Sequence, residues 1–255
     1  MKVCLNSRQS AEYLKKADEI LFAYRDRQAI PEIAEQYPNA TCILEIPKEE
    51  NYSVDEIREF NILTKNKLIL CIGNLNDVIL TRLGIPYFWE YRICSYEDLM
   101  AVKNMGVDSF LVGAPLFFQT DLIKKSGLKA RVVTNAAQDG TLMHTSGING
   151  TWIRPEDLEM YADIVESISF SANTLSQEQA LYRIYCENKE WSGNISDIVF
   201  YLNADATNRL LPPQFTEYRL NCGQKCYKCN LCDRYFSLAN EEKIKNWSEK
   251  HRDIK

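Results

Sequence analysis

The fold is decided by the stretch from residue 41 to residue 72. It opens with Thr41-Cys42-Ile43-Leu44-Glu45-Ile46, passes through Ser53-Val54-Asp55-Glu56, and closes with Lys67-Leu68-Ile69-Leu70-Cys71-Ile72. The two flanking runs are short, apolar and rich in Ile and Leu, as expected of strands buried on both faces. The middle motif has a serine followed three residues later by glutamate, a capping box that starts a helix. Strand, helix, strand within about thirty residues is one βαβ unit with a parallel pairing.

The same alternation extends both ways. Further apolar runs lie at Lys2–Asn6, Glu19–Tyr24, Ile85–Tyr91, Val107–Val112, Lys129–Thr134 and Ile164–Phe170, which makes eight strands by residue 170. Ser95-Tyr96-Glu97-Asp98 is a second helix start, with Gly106 as its stop, and Pro155 stands at a first-turn position before Glu156-Asp157-Leu158. Eight such units predict a TIM-like (β/α)8 barrel rather than an open doubly wound sheet. The residues after the first strand, Asn6-Ser7-Arg8-Gln9-Ser10, lack the glycines of a dinucleotide-binding turn. Leu175–Lys189 reads as a helix with Leu175, Leu181, Ile184 and Tyr185 on one side, and Ile195–Leu202 as another. Leu211-Pro212-Pro213 divides the chain into a barrel domain, 1–210, and a cysteine-rich segment, 211–255.

The 255 residues carry a net charge of −5. That balance argues against a protein that coats nucleic acid, although Lys225, Lys228, Arg234, Lys243 and Lys245 form a local basic group. No apolar run is long enough for a membrane span, and Met1–Asn6 is too short for a signal core, so a cytoplasmic protein without membrane partners is expected. Of nine cysteines, Cys4, Cys42 and Cys71 sit in apolar runs and read as small buried hydrophobes.

Four other cysteines fall together in Cys222-Gly-Gln-Lys-Cys226-Tyr-Lys-Cys229-Asn-Leu-Cys232. In a reducing compartment this C-x3-C-x2-C-x2-C run predicts a metal centre. Four thiolates suit an iron–sulfur cluster of the 4Fe-4S type, and zinc is the alternative. The first three also match the spacing of radical S-adenosylmethionine enzymes, but they follow the barrel instead of its first strand.

Candidate site residues gather at strand C-termini, the functional end of a barrel. Glu45 and Glu90 end the third and fifth strands with shared parity. They are expected to point into one mouth, as acid/base partners or as a cation site, against the alternative of solvated or paired carboxylates. Arg92 and Asn135 lie nearby as substrate-binding candidates. His144, in the long loop after the seventh strand, is a candidate general base or ligand, or else a loop histidine bonded to backbone. Arg154 is a candidate clamp for a carboxylate or phosphate, though pairing with a nearby acid is favoured. His251 is read as inert. No G-x-S-x-G, H-E-x-x-H or P-loop pattern occurs.

Thr151-Trp152-Ile153-Arg154-Pro155-Glu156-Asp157-Leu158 resembles the W-I-R-P-E-D-L motif of the peptidase U32 family, the collagenase-like proteases. Trp191-Ser192-Gly193-Asn194-Ile195-Ser196-Asp197-Ile198 resembles a second motif of that family, and relatives share a cysteine-rich tail. The resemblance covers about residues 130–235. It implies a TIM-like barrel, an iron–sulfur cluster in several relatives, and hydroxylation or other modification of RNA or of a small aromatic substrate, or peptidase activity. The chain departs from the family after the seventh strand. Thr134-Asn135 continues as Ala136-Ala137-Gln138-Asp139-Gly140, without the cysteines that many members carry there. A non-catalytic binding or structural protein with a zinc-stapled tail is the alternative from a different class.

Overall fold

The computed structural model describes residues 1–48, 51–74, 77–135, 152–189, 191, 197–198 and 220. The strands are β1 (Lys2–Asn6), β2 (Glu19–Ala23), β3 (Thr41–Ile46), β4 (Leu68–Ile72), β5 (Tyr87–Trp89), β6 (Ser109–Leu111), β7 (Lys129–Val133) and β8 (Val165–Ser169). The helices are α1 (Ala11–Leu14), α2 (Ile30–Gln36), α3 (Val54–Leu63), α4 (Val78–Thr81), α5 (Tyr96–Asn104), α6 (Ala114–Phe117), α7 (Thr120–Ser126) and α8 (Leu175–Glu187). Two 3-10 helices, Tyr24–Ala29 and Pro155–Tyr161, complete the described elements.

All strand pairs are parallel, in the order β5-β4-β3-β2-β1-β8-β7-β6. The two ends of that order meet through a parallel bridge between Ile93, four residues beyond β5, and Val112, one residue beyond β6. There the Ile93 N–H donates to the Leu111 carbonyl at 2.8 Å, and the Gly113 N–H donates to Ile93 at 2.8 Å. The sheet is therefore a (β/α)8 barrel, as the sequence predicts. A Cβ at Gly113 would lie 2.3 Å from Cys94 Sγ, so this glycine is what lets the seam approach so closely.

Strand alternation sorts the apolar residues into two cores. On β3, Cys42, Leu44 and Ile46 face the helices and join the large outer core, with Phe22, Leu70, Trp89, Phe110 and Ile168 from neighbouring strands. Ile43 faces inward and packs with Cys4, Cys71 and Phe88 in a small core inside the barrel. The three cysteines expected to be buried are buried and unbridged. Cys4 and Cys71 face the barrel interior, while Cys42 faces the helices.

Below that inner core the barrel floor is ionic. Glu19 at the start of β2 is fully buried and takes Arg131 of β7 in a bidentate pair at 2.7 and 3.2 Å. Ser109 accepts from Arg131 Nε at 2.9 Å, and the Ser167 hydroxyl donates to Glu19 at 2.7 Å. The Arg131 guanidinium also lies over the Phe88 ring, 4.6 Å from its centroid. Every charge on this floor thus has a close partner, as burial demands.

The helix signals hold with local differences. Ser53 caps α3 by accepting the Glu56 N–H, and Ser95 caps α5 by accepting the Asp98 N–H. Glu56 does not return the bond of a full capping box. Its carboxylate is taken by Arg27 and Gln28, and the Ser53 N–H goes to the Tyr24 hydroxyl instead. Gly106 stops α5 at φ +81°. Pro155 starts a 3-10 turn instead of an α-helix. In α8 the buried residues are Glu178, Leu181, Tyr182, Ile184 and Tyr185, whereas Leu175, placed on that side from sequence, is 40% exposed. Leu175 is the first residue of the helix and stands at the rim of the barrel. Most of Ile195–Leu202 and the 210/211 boundary lie outside the described residues. Among the described residues, no helix is long and apolar enough to cross a membrane.

Candidate functional site

A cavity of about 590 Å³ opens at the C-terminal ends of the strands, where the inner core stops. Its wall includes Glu45, Glu90 and Arg92, three of the residues that the sequence places there. Strand register explains why they converge. Glu45 pairs in register with Cys71, and Cys71 with Phe88, so these three side chains form one inward-facing row. Glu90 is two residues beyond Phe88 on the same parity and therefore sits one layer nearer the mouth. Its N–H donates to the Ile72 carbonyl at 3.0 Å, which carries the β4 pairing past the end of β5.

Gly73 gives the Glu90 carboxylate its place. A Cβ at Gly73 would lie 2.8 Å from Glu90 Oε2, 2.7 Å from the Lys48 nitrogen and 3.0 Å from the Ile46 carbonyl. The carboxylate thus occupies space that any other residue at 73 would need.

Among the described residues, neither the Glu45 nor the Glu90 carboxylate has a hydrogen-bond or ion-pair partner. Burial, with the Glu90 charge adding to it, raises the pKa of Glu45 above the ordinary glutamate value. Cys71 beside it is pushed well above the usual thiol range, first by burial and then by the charges of Glu45 and Glu90. It is held as a neutral thiol and is no nucleophile at neutral pH.

Glu178 is a wall residue that the sequence reading did not single out. It reaches from α8 to the loop after β1, accepting the Asn6 N–H at 3.0 Å and a short bond from the Gln9 amide. Burial raises its pKa, and these two donors hold it down only in part. A signal was present in the sequence: Glu178 shares a helix side with Leu181 and Tyr185, so a carboxylate sits on an apolar stripe. Arg131 and Glu19 left a similar trace, as charges inside strand runs otherwise built for burial.

Two predicted substrate-binding residues are turned elsewhere. Asn135 is fully buried, and both ends of its amide are taken by Ser171: Nδ2 donates to the carbonyl at 2.8 Å, and Oδ1 accepts the N–H at 2.7 Å. It ties the end of β7 to the turn after β8 and is not on the cavity wall. Arg154 is also off that wall. It is 7% exposed, and its guanidinium holds Asp157 at 2.5 and 3.0 Å.

The rest of that motif packs. Trp152 is 1% exposed, and the Ile153 N–H donates to the Thr134 carbonyl at 2.9 Å. The buried Tyr185 hydroxyl lies between the Ile153 and Thr134 carbonyls. Arg154 therefore makes the acid pairing favoured from sequence, and Ile153 of the motif joins the end of β7 to Tyr185 of α8.

His144 and the four clustered cysteines, Cys222, Cys226, Cys229 and Cys232, lie outside the described residues. Among the described residues, no group of three or more His, Cys, Asp or Glu side chains is arranged to hold a metal ion.

No family model and no curated protein matches the chain. Among solved structures it is similar to a thiamine phosphate pyrophosphorylase from Pyrococcus furiosus. The identity is 12% and the TM-score 0.43, over 73% of this chain and 96% of that one. It is also similar to a glycerol uptake operon antiterminator-related protein from Thermotoga maritima. Here the identity is 14% and the TM-score 0.39, over 67% of this chain and 95% of that one.

Proposed function

We propose that the protein is an enzyme acting on a small molecule bound in the barrel mouth, with Glu45 and Glu90 as its proton-transfer pair. The observation that carries this reading is the pair itself. Two carboxylates converge on one cavity without partners among the described residues, and the more buried of them is shifted toward the neutral form by its burial and by the other's charge. A carboxyl group biased toward its neutral form beside a second carboxylate is an arrangement that acid–base catalysis uses. A cavity of about 590 Å³ has the volume of a small-molecule pocket and admits a compact ring system or a single extruded base, not a nucleic-acid helix.

The second element of the reading is the tail. The resemblance to the peptidase U32 family and the Cys222–Cys232 spacing support a four-thiolate centre, iron–sulfur or zinc, serving modification of a small aromatic or RNA substrate. Peptidase activity draws on the resemblance alone.

Untargeted mass spectrometry tests the catalytic reading. A small-molecule extract is incubated with the wild-type chain and with Glu45→Gln. Compounds consumed by the wild type are expected to persist with the variant. Equal consumption by both proteins removes Glu45 from the chemistry.

A further inference from the structure

Charge in the barrel mouth is out of balance, and the imbalance has a sign. The cavity wall carries three arginines. Arg8 is taken by Asp26 at 2.9 and 2.7 Å, Arg131 is taken by Glu19, and Arg92 has an interaction of its own. Against them stand three carboxylates. The Glu178 carboxylate is held by Asn6 and Gln9, while those of Glu45 and Glu90 have no hydrogen-bond or ion-pair partner among the described residues. The charge left to a ligand is therefore negative. The same wall carries apolar side chains, among them Ile43, Phe88, Leu111 and Val133.

We infer that the mouth binds an organic cation, with an ammonium or amidinium group seated between Glu45 and Glu90 and an apolar ring-bearing body against Phe88. A positive charge placed there relieves the repulsion between the two carboxylates and supplies the hydrogen-bond donors that neither finds among the described residues. An anionic ligand meets the opposite: among the described residues the wall offers three carboxylates and no unengaged cation. An inorganic divalent ion is a poorer fit, because it needs several oxygen ligands fixed around one point, and the described residues offer no such group. This inference rests on the mouth being the working site but not on its being catalytic.

Calorimetry on the full chain tests it with two probes that share a ring and differ in charge, tryptamine and indole-3-acetate. Tryptamine is expected to bind at least about tenfold more tightly. Glu45→Gln and Glu90→Gln are each expected to weaken tryptamine about tenfold and to leave indole-3-acetate no weaker, a pattern that a misfolded variant would not give. Equal affinities, tighter binding of the acid, no binding of the amine at millimolar concentration, or amine binding unmoved by both substitutions would overturn the proposal. So would displacement of tryptamine by magnesium chloride, which would make the cation inorganic. Because the readout is binding, charge-selective binding without turnover would leave the cation site standing and remove only the catalytic reading.

Discussion

The carboxylate of Glu90 rests over the bare α-carbon of Gly73, in space where a Cβ would come within 2.8 Å of Oε2. Two of the contacts that such a Cβ would make are to backbone atoms of Ile46 and Lys48, which have no rotamer to change. Gly73→Ala is therefore expected to cost roughly 1–3 kcal/mol, in the range of overpacked cores, measured by urea denaturation. Adding Glu90→Ala relieves only the side-chain contact, so the double variant should stay well below Glu90→Ala alone in stability. Full recovery in the double variant would mean that the glycine serves the carboxylate and not the backbone.

Glu45 makes stability depend on pH with a definite sign. Its folded-state pKa is raised, first by burial and then by Glu90, so the unfolded chain loses this proton more readily than the folded one. Its contribution is present in full below the ordinary glutamate range and is lost as pH rises through the raised value. Glu45→Gln removes that penalty. The variant should be more stable than the wild type at neutral pH, by roughly 0.5–2 kcal/mol as for other relieved sites, and the difference should shrink as pH falls. Denaturant melts at neutral pH and near pH 4 check this; a variant less stable at neutral pH would contradict it. Glu178→Gln should not behave so simply, because its carboxylate also accepts two hydrogen bonds.

Much of this was legible in the sequence, because strand and helix periodicity act locally. The apolar runs around Ile43 and Leu70 marked buried parallel strands, and Ser53 and Ser95 marked real caps. Parity along β3 and β5 brought Glu45 and Glu90 to one mouth. What the sequence hid was partner choice across the barrel. Asn135 looked like a mouth residue, but Ser171, thirty-six positions away, takes both ends of its amide. Glu178 stood out only as a carboxylate on an apolar helix stripe, and its partners, Asn6 and Gln9, are about 170 positions away. Such pairings depend on closure of the barrel, which no local pattern encodes. The ends of β5 and β6 were overextended for the same reason: pairing there jumps to the Ile93–Val112 bridge.

The buried pair beneath the site predicts an asymmetry. Arg131→Met leaves the fully buried Glu19 with only Ser167 and the half-exposed Lys2 nearby, and about 3–5 kcal/mol should be lost. The Glu19→Gln/Arg131→Met pair should recover a large part of that, since no uncompensated charge remains on the floor. A double variant as unstable as the single one in urea denaturation would mean that the network's shape, not its charge, holds the floor together.

The tail makes its own claim, resting on sequence spacing alone. If Cys222, Cys226, Cys229 and Cys232 hold an iron–sulfur cluster, protein purified without oxygen is expected to be brown, with an absorbance near about 400 nm and iron by elemental analysis. A colourless protein with one zinc per chain would replace that cluster with a zinc staple. Cys226→Ser and Cys229→Ser should each abolish or sharply reduce metal content, because a four-thiolate site that loses a ligand loses most of its affinity. Cys42→Ser is the matched control: Cys42 packs among the outer-core hydrophobes, and its replacement should lower stability while leaving metal content unchanged. Metal lost equally from all three variants would point to a general effect on folding, and metal retained in both tail variants would remove the centre from Cys222–Cys232.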